Sequence, residues 1–327
     1  MIKENNIIQQ IYKDENMVDT KTTIEYVQDL MKMYYSTLNN EEGEKAYLNN
    51  EDFRILTGPT YLRPNEVGMV LSNPNIRVGG CRRELYLKVN GAIKEDKDLS
   101  EIETIERNNL IKQQWLDKFN FCKVLGEYED SEEKMCFSTT FRSFEKNYIM
   151  DYKKNKKYTL LIKPVNDTAY SVRDTIWPSN PMMQPKMMYI HLPEAVALMY
   201  YYKAPVKLIY VGKNNTEMFQ EFNIGAKSDK VTINGAPLEF TSLSTFITEI
   251  ENTRDIIKGD KIPPRDFNIE QVLDAQTINE MLDLNIINNR TASGLLRGDR
   301  YTDFKCQSCK YFNLCKTIGE GWKPYQK

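Results

Sequence analysis

Residues 306–315 read CQSCKYFNLC, which spaces Cys306, Cys309 and Cys315 as CxxCxxxxxC. A further cysteine, Cys81, lies more than two hundred residues upstream in the stretch GGCRRELYL. Thiolates bind soft metals and iron–sulphur clusters, and three nearby cysteines with a remote one supply four ligands. We therefore expect these cysteines to hold a metal centre that joins two distant parts of the chain.

The spacing leaves two metals open. Structural zinc sites more often use two CxxC pairs, whereas a cysteine remote from a CxxC-plus-one group favours a 4Fe–4S cluster. We expect a 4Fe–4S cluster with a structural role, and Zn²⁺ is the alternative. The two remaining cysteines, Cys122 and Cys136, are interpreted as small buried hydrophobic side chains.

The composition is that of an ordinary globular chain. Its 327 residues are 41% hydrophobic and 28% charged, with a formal net charge of −2. A nucleic-acid site would therefore be a local basic patch and not a global positive field. No apolar run approaches the ~18 residues of a membrane span, and the N-terminus lacks the apolar segment of a signal peptide.

These features predict a cytoplasmic protein with reduced cysteines. Asn, Lys, Ile and Tyr are abundant, which suggests an AT-rich genome such as that of a phage. In that case the protein would work in the host cytoplasm.

Hydrophobic periodicity predicts a mixed α/β core between two helical ends. Helical spacing covers residues 1–40, the stretch RRELYLKV after Cys81, and about 100–119. Downstream, three strands lie in 134–176 (MCFSTTFRSF, NYIMDY and KYTLLIKPV), followed by a helix HLPEAVALMYYYK, strands VKLIYVG and EMFQEFNI, and helices LSTFITEIENTRDII and INEMLDLNIINN.

With these elements in place, the chain resembles the iron–sulphur branch of the PD-(D/E)XK nucleases. This branch includes the RecB-like CRISPR-associated exonucleases, the AddB nuclease domain and related phage nucleases. The resemblance covers about residues 75–320 and depends mainly on Cys81 before the core and the CxxCxxxxxC group after it. KIPPRDF (261–267) and HLPEAVALMYYY followed by VKLIYVG also match segments of that branch.

The resemblance implies a restriction-endonuclease-like fold. We expect a mixed sheet core flanked by helices and framed by helical N- and C-terminal segments, which the cysteine-ligated cluster joins. The implied organisation is a helical extension over 1–70 and an iron–sulphur nuclease-like domain over 71–327. Within that domain the core would cover about 100–225, and the helical and cysteine part 240–327.

The nuclease site of the family is an Asp at the end of one strand and Glu-x-Lys on the next. Its carboxylates hold Mg²⁺ or Mn²⁺ beside the scissile phosphate. Lys163 matches the lysine, but Leu161 occupies the glutamate position. Glu145 is the best match to the preceding acid, and Asp151 is the next. Asp151 is also followed by Tyr152 and a lysine, an Asp-x-Lys that we expect at a hairpin tip.

The family also has a His-x-x-Gln helix, which here corresponds to His191 and Glu194. His191 is the one histidine of the chain, and a hydrogen-bonded structural role is the alternative to ligation. The metal-binding position on the long helix after the first cysteine corresponds to Lys112, or to Glu106 in a shifted register.

Whether the chain is an enzyme is left open by Leu161. We expect an iron–sulphur DNA-binding or assembly protein of replication, recombination, repair or a phage, with nuclease activity reduced or lost. The alternatives are an active Mg²⁺- or Mn²⁺-dependent DNA exonuclease and a structural subunit that binds no DNA. The expected partners are single-stranded or branched DNA and a helicase or another replication or recombination protein, without a membrane.

Overall fold

The computed structural model describes residues 61–71, 76–89, 99–129, 134–136, 139–141, 145–152, 155–169, 172, 175–178, 182–259 and 261–318. By its internal contacts the chain divides into a smaller unit, residues 1–52 and 97–103, and a larger unit, residues 53–96 and 104–327. Everything below concerns the larger unit, apart from the first residues of one helix.

The first described elements are short. They are β1 (Tyr61–Leu62), a 3₁₀ turn (Pro64–Glu66), β2 (Gly68–Val70), β3 (Arg77–Gly79) and α1 (Arg82–Val89). Gly79, the last residue of β3, has a φ of +85°, and a Cβ on the following Gly80 would lie 1.8 Å from the carbonyl oxygen of Glu66. Only glycine tolerates both conditions, and the pair thereby places Cys81 directly before α1.

The next elements build the core. They are α2 (Leu99–Phe121), β4 (Leu125–Glu127), β5 (Lys134–Cys136), β6 (Thr139–Phe141), β7 (Asn147–Asp151), β8 (Lys156–Val165), α3 (Leu192–Tyr202), β9 (Val206–Gly212), β10 (Phe219–Lys227), β11 (Lys230–Ile233), β12 (Ala236–Ser242) and α4 (Leu243–Lys258). Four short helices follow: α5 (Ala275–Asp283), α6 (Asn289–Leu296), α7 (Phe304–Gln307) and α8 (Phe312–Thr317).

Seven of these strands form a mixed sheet in the order β12-β11-β10-β9-β8-β7-β4, while β1, β6 and β5 form a separate three-stranded sheet and β2 pairs with β3. Neighbouring strands are antiparallel except for β8 and β9, which are parallel and pair Thr159 with Val206 and Lys163 with Tyr210. Parallel neighbours need a crossover, and α3 supplies it. The long strand β8 is therefore central, with α3 connecting it to β9.

Strand β8 is covered on both faces, and its alternate side chains enter different cores. Leu160 and Ile162 pack with Ile111 and Trp115 of α2. Leu161 belongs to the larger core, which also contains most of α3. We call these the α2 face and the α3 face of the sheet.

The observed architecture confirms the α/β class, with a mixed sheet flanked by helices. Helices α1, α2, α3 and α4 and strands β7 to β10 agree with the sequence pattern, whereas the β11–β12 hairpin was not predicted. Of the predicted N-terminal helical extension, 1–60 lies outside the described residues, and 61–70 holds β1, the 3₁₀ turn and β2.

The two cysteines outside the motif were expected to be buried. Cys122 is exposed, so its interpretation as a buried side chain was wrong: it lies just past the end of α2. The side chain of Cys136 lies outside the described part.

Among the described helices, none is both long enough and apolar enough to cross a membrane.

Candidate functional site

The cysteines of the sequence motif line one cavity. Cys81, Cys306, Cys309 and Cys315 share its wall with Glu84, Leu87, Ile269, Lys305, Tyr311 and Phe312. Cys81 precedes α1, Cys306 lies in α7, Cys309 in the turn after it, and Cys315 in α8. The fold thus brings together thiols that are separated by more than two hundred residues in the chain.

Local backbone geometry directs donors at two of these sulphurs. The N–H of Glu84 donates to the Sγ of Cys81 over 3.4 Å, and the N–H of Tyr311 donates to the Sγ of Cys309 over 3.4 Å. N–H groups at a sulphur stabilise a thiolate, and such donors are among the features that tune protein-bound clusters.

Burial opposes ionisation of the same thiols. It raises the pKa of Cys306 to about 12 and that of Cys309 to about 11, with nearby carboxylates adding to the effect. Burial also raises the pKa of Cys81 far above its usual range. In the absence of a metal these thiols are therefore protonated at neutral pH, and a metal must displace their protons on binding.

The donor set suits a thiolate-bound centre: four sulphurs, no histidine, and walls that include Leu87, Ile269 and Phe312. Soft sulphur donors select zinc or iron–sulphur clusters. The four side chains do not form a ligand group in this arrangement, since in the described part of the chain no three His, Cys, Asp or Glu side chains, these cysteines included, are grouped so that they could hold a metal ion.

Charged side chains hold the cysteine segments together. The buried carboxylate of Asp266 accepts the backbone N–H of Arg82 at 2.6 Å and its guanidinium at 2.8 and 2.5 Å. The neighbouring Arg265 donates to the carbonyl oxygens of Cys315 and Lys316 at 2.7 and 3.0 Å. The Arg265–Asp266 dipeptide of KIPPRDF therefore ties the start of α1 to α8.

Arg83 adds a second tie beside the first. Its guanidinium is buried and donates to the carbonyl oxygens of Pro263 and Ile318 at 2.8 and 2.9 Å. The two arginines after Cys81 are thus structural in this fold, since each holds the C-terminal segment against α1.

The second group of interest lies on the α3 face of β8. The Nζ of Lys163 is 2.5 Å from Oε2 of Glu194, and only 19% and 11% of the two side chains are exposed. Lys163 projects from the sheet, while Glu194 lies in the first turn of α3. The structure therefore brings together the lysine and the residue that the resemblance placed at the glutamine.

His191 lies next to this pair. Its Nδ1 shares a hydrogen bond of 2.9 Å with the hydroxyl of Tyr210, which also accepts the N–H of Met188 at 3.2 Å. Burial, together with the charge of Lys163, lowers the pKa of His191 to about 3. The imidazole is therefore neutral at physiological pH and fixed by Tyr210.

A core side chain stands at the position where the family resemblance predicts a glutamate. Leu161 is 0% exposed and packs in the core of the α3 face. A carboxylate there would need to enter this core, with a large desolvation cost. Leu161 is thus part of the packing that supports Lys163.

Glu145 and Asp151 are not brought to Lys163. The Oε1 of Glu145 is 3.4 Å from the Nζ of Lys112 on α2, which covers the other face of the sheet. Asp151 is paired in register with Lys156. Lys163 lies seven residues further along β8, which corresponds to roughly 23 Å at the usual rise per residue. Glu106, the alternative in the shifted register, lies on α2 like Lys112.

Sequence reasoning missed two buried polar residues near this end of β8. Tyr210 stands in the apolar stretch VKLIYVG, and only its pairing opposite Lys163 indicates that its hydroxyl reaches the α3 face. Asp167, just after β8, accepts the backbone N–H and side-chain amide of Asn214 at 2.8 and 2.9 Å. The sequence shows an Asp directly after this strand, but neither its burial nor its partner Asn214 could be read from it.

Comparisons with protein-family models, with curated proteins and with solved structures found no match.

Proposed function

We propose that this chain is a DNA-binding or assembly protein of the nuclease fold that carries a structural 4Fe–4S cluster and has reduced or lost nuclease activity. The mixed sheet flanked by helices, the cysteine cavity and the contact of Lys163 with Glu194 all support the family resemblance. Its DNA ligand would be single-stranded or branched, and its protein partner a helicase or another replication or recombination protein.

The main support for a loss of nuclease activity is the pairing of Lys163 with Glu194 beside the buried Leu161. Hydrolysis of a phosphodiester by Mg²⁺ or Mn²⁺ requires carboxylates that hold the ion at the phosphate. On the α3 face, the carboxylate next to Lys163 is engaged by its ammonium, and Glu145 and Asp151 project elsewhere. This arrangement favours a stable ion pair over a metal site.

The cysteines would act on stability. Cys81, Cys306, Cys309 and Cys315 would hold the cluster, and its bonds to sulphur would add to the free energy of folding. The residues around them already align the segments, because Asp266 and Arg265 join α1 to α8.

A nuclease assay tests the loss of activity. Anaerobically purified protein is incubated with end-labelled single-stranded DNA and Mg²⁺ or Mn²⁺, and release of labelled nucleotide is followed. We expect no release above that of a Lys163→Ala variant. Release by the wild-type chain that disappears in Lys163→Ala would show an active exonuclease and overturn the proposal.

DNA binding is tested separately at low salt, where electrostatic binding is strongest. Retention of single-stranded or branched DNA supports the proposal. Absence of any retention would favour the structural alternative, a subunit that keeps the fold for protein contacts only.

The metal is tested by spectroscopy and analysis. The anaerobic protein should be brown and contain iron and sulphide. Stoichiometric zinc without iron would contradict the 4Fe–4S assignment and favour the zinc alternative.

A further inference from the structure

Lysine and tyrosine side chains alternate at the end of the sheet where β7 turns into β8. The Nζ of Lys157 lies 3.8 Å from the ring centre of Tyr148 and 4.6 Å from that of Tyr128. The Nζ of Lys156 lies 5.5 Å from the ring centre of Tyr158. Because successive strand residues point to opposite faces, this end of the sheet presents ammonium groups on both faces.

Two neighbouring segments add positive charge to the same end. Strand β9 starts here, since the N–H of Thr159 donates to the carbonyl oxygen of Pro205 at 2.8 Å. Lys203 directly precedes this connection and is exposed, with its Nζ 5.7 Å from the ring centre of Tyr200. Lys123, after α2, is exposed as well.

Aromatic surface is exposed beside these lysines. The side chain of Tyr152 follows β7 and is 67% exposed, while its hydroxyl donates to the carbonyl oxygen of Lys123 at 3.0 Å. Phe121, two residues before Lys123, is 88% exposed. The hydrogen bond fixes the ring of Tyr152 against the turn and leaves most of it in solvent.

This combination matches the chemistry of a single-stranded nucleic acid. Lysines neutralise the phosphates, and exposed rings stack on the bases, which are accessible when the strands are apart. An acidic peptide would satisfy the lysines and leave Tyr152 and Phe121 uncovered. A duplex would hide its bases from the same rings.

We infer that this surface, formed by Lys123, Tyr152, Lys156, Lys157 and Lys203 at the end of both sheet faces, binds single-stranded nucleic acid by phosphate contacts and base stacking. Its four lysines outnumber the carboxylate of Asp151, which is paired in register with Lys156. The inference rests on the proposed DNA-binding function and gives it a location. That location is at the opposite end of β8 from Lys163, roughly 23 Å along the strand. The nucleotides held at this end of the sheet are therefore distant from Lys163 and Glu194.

The experiment measures fluorescence anisotropy of a labelled oligothymidylate of about 20 nucleotides, longer than most single-strand sites, with the full-length anaerobic protein. The charge variant is Lys156→Gln/Lys157→Gln. Its matched control is Lys227→Gln/Lys261→Gln, which removes two exposed lysines elsewhere. The ring variant is Tyr152→Ala, with Tyr152→Phe as its control.

The charge variant should weaken binding at least tenfold. The slope of log Kd against log salt should fall by about 1.4, since each phosphate contact with a single strand contributes roughly 0.7. Tyr152→Ala should weaken binding about tenfold with an unchanged salt slope, while Tyr152→Phe and the control pair bind like wild type. A duplex of the same length and a polyglutamate peptide should bind more weakly than the oligothymidylate.

Different failures have different meanings. If the wild-type chain binds the oligonucleotide and both variants bind equally well, this surface is wrong and the proposed DNA-binding function stands. Preferential binding of polyglutamate would overturn the surface in favour of an acidic protein partner. No binding by the wild-type chain at about 50 mM salt would overturn both.

Discussion

The carboxylate of Asp266 is fully buried and accepts three hydrogen bonds from Arg82, one of them from the backbone N–H. Arg82 directly follows Cys81, whereas Asp266 lies more than one hundred and eighty residues later. The pair therefore fixes the position of the start of α1, which follows Cys81, relative to the segment of Asp266, whose neighbour Arg265 donates to the carbonyl oxygen of Cys315. These hydrogen bonds align the two segments without the help of a metal.

Asp266→Asn should destabilise the fold by about 3 kcal/mol, because it leaves the guanidinium of Arg82 without its charged partner in a mostly buried place. Urea unfolding followed by circular dichroism measures the change. Glu239→Gln is a matched control, since its partner Lys230 is exposed and such pairs contribute less than about 1 kcal/mol. Equal effects from the two substitutions would contradict a structural role for Asp266.

Cys309→Ser should lose most of the iron and sulphide and the visible absorption of the proposed cluster, because it removes one of the four proposed ligands. Cys122→Ser is the control, since Cys122 is exposed and outside the cavity. Metal analysis and absorption spectra of anaerobic samples compare the two. Full metal content in Cys309→Ser would show that the cavity is not the metal site.

Lys163 and Glu194 should be coupled in stability. Either Lys163→Met or Glu194→Gln alone leaves a largely buried charge without its partner, so each should cost about 2 kcal/mol. The double variant should lose less than the sum of the two, with a coupling energy of about 1–3 kcal/mol. A double-mutant cycle from urea unfolding gives this value, and additive effects would show that the pair does not interact.

Stability should depend on pH through His191, whose pKa burial lowers to about 3 in the folded chain. The unfolded chain binds a proton at the ordinary pKa of about 6.5, so below that pH it gains a proton that the folded chain does not. Stability is therefore complete above about pH 6.5 and falls by about 1.4 kcal/mol per pH unit as the pH decreases towards 3.

Unfolding of wild type and His191→Gln between pH 7.5 and 5 tests this dependence. His191 is the one histidine of the chain, so the variant should have a clearly flatter profile over this window. Parallel profiles would mean that His191 is accessible to protons in the folded state.

The sequence predicted the elements with strong periodicity and the residues that meet through them. The helix from Leu192 and the strand from Val206 are as expected, and Lys163 and Glu194 lie together because β8 and α3 are consecutive. Hydrophobic periodicity predicts such elements because one face of each helix or strand is buried in the fold.

The sequence did not give the face on which Glu145 and Asp151 lie. That depends on the register of β7 against β8, where Ile149 opposes Tyr158, and a shift of one residue would reverse it. Contacts between remote segments were also hidden, as with Asp266 and Arg82, because nothing local to either residue specifies its partner. The polar role of Tyr210 could not be predicted either, because an aromatic residue in an apolar strand is usually an ordinary core side chain.

The position of the cysteines in the chain sets an order of events during synthesis. Cys81 leaves the ribosome before the whole of the central sheet, and Cys315 leaves it after that sheet is complete. The thiols can therefore converge only when the sheet, α3 and α4 are already available to fold. A metal centre bound by all four thiols would therefore form only after the residues of the sheet have been synthesised, and a chain that stops before residue 306 would contain the whole sheet but only Cys81 of the four cavity thiols.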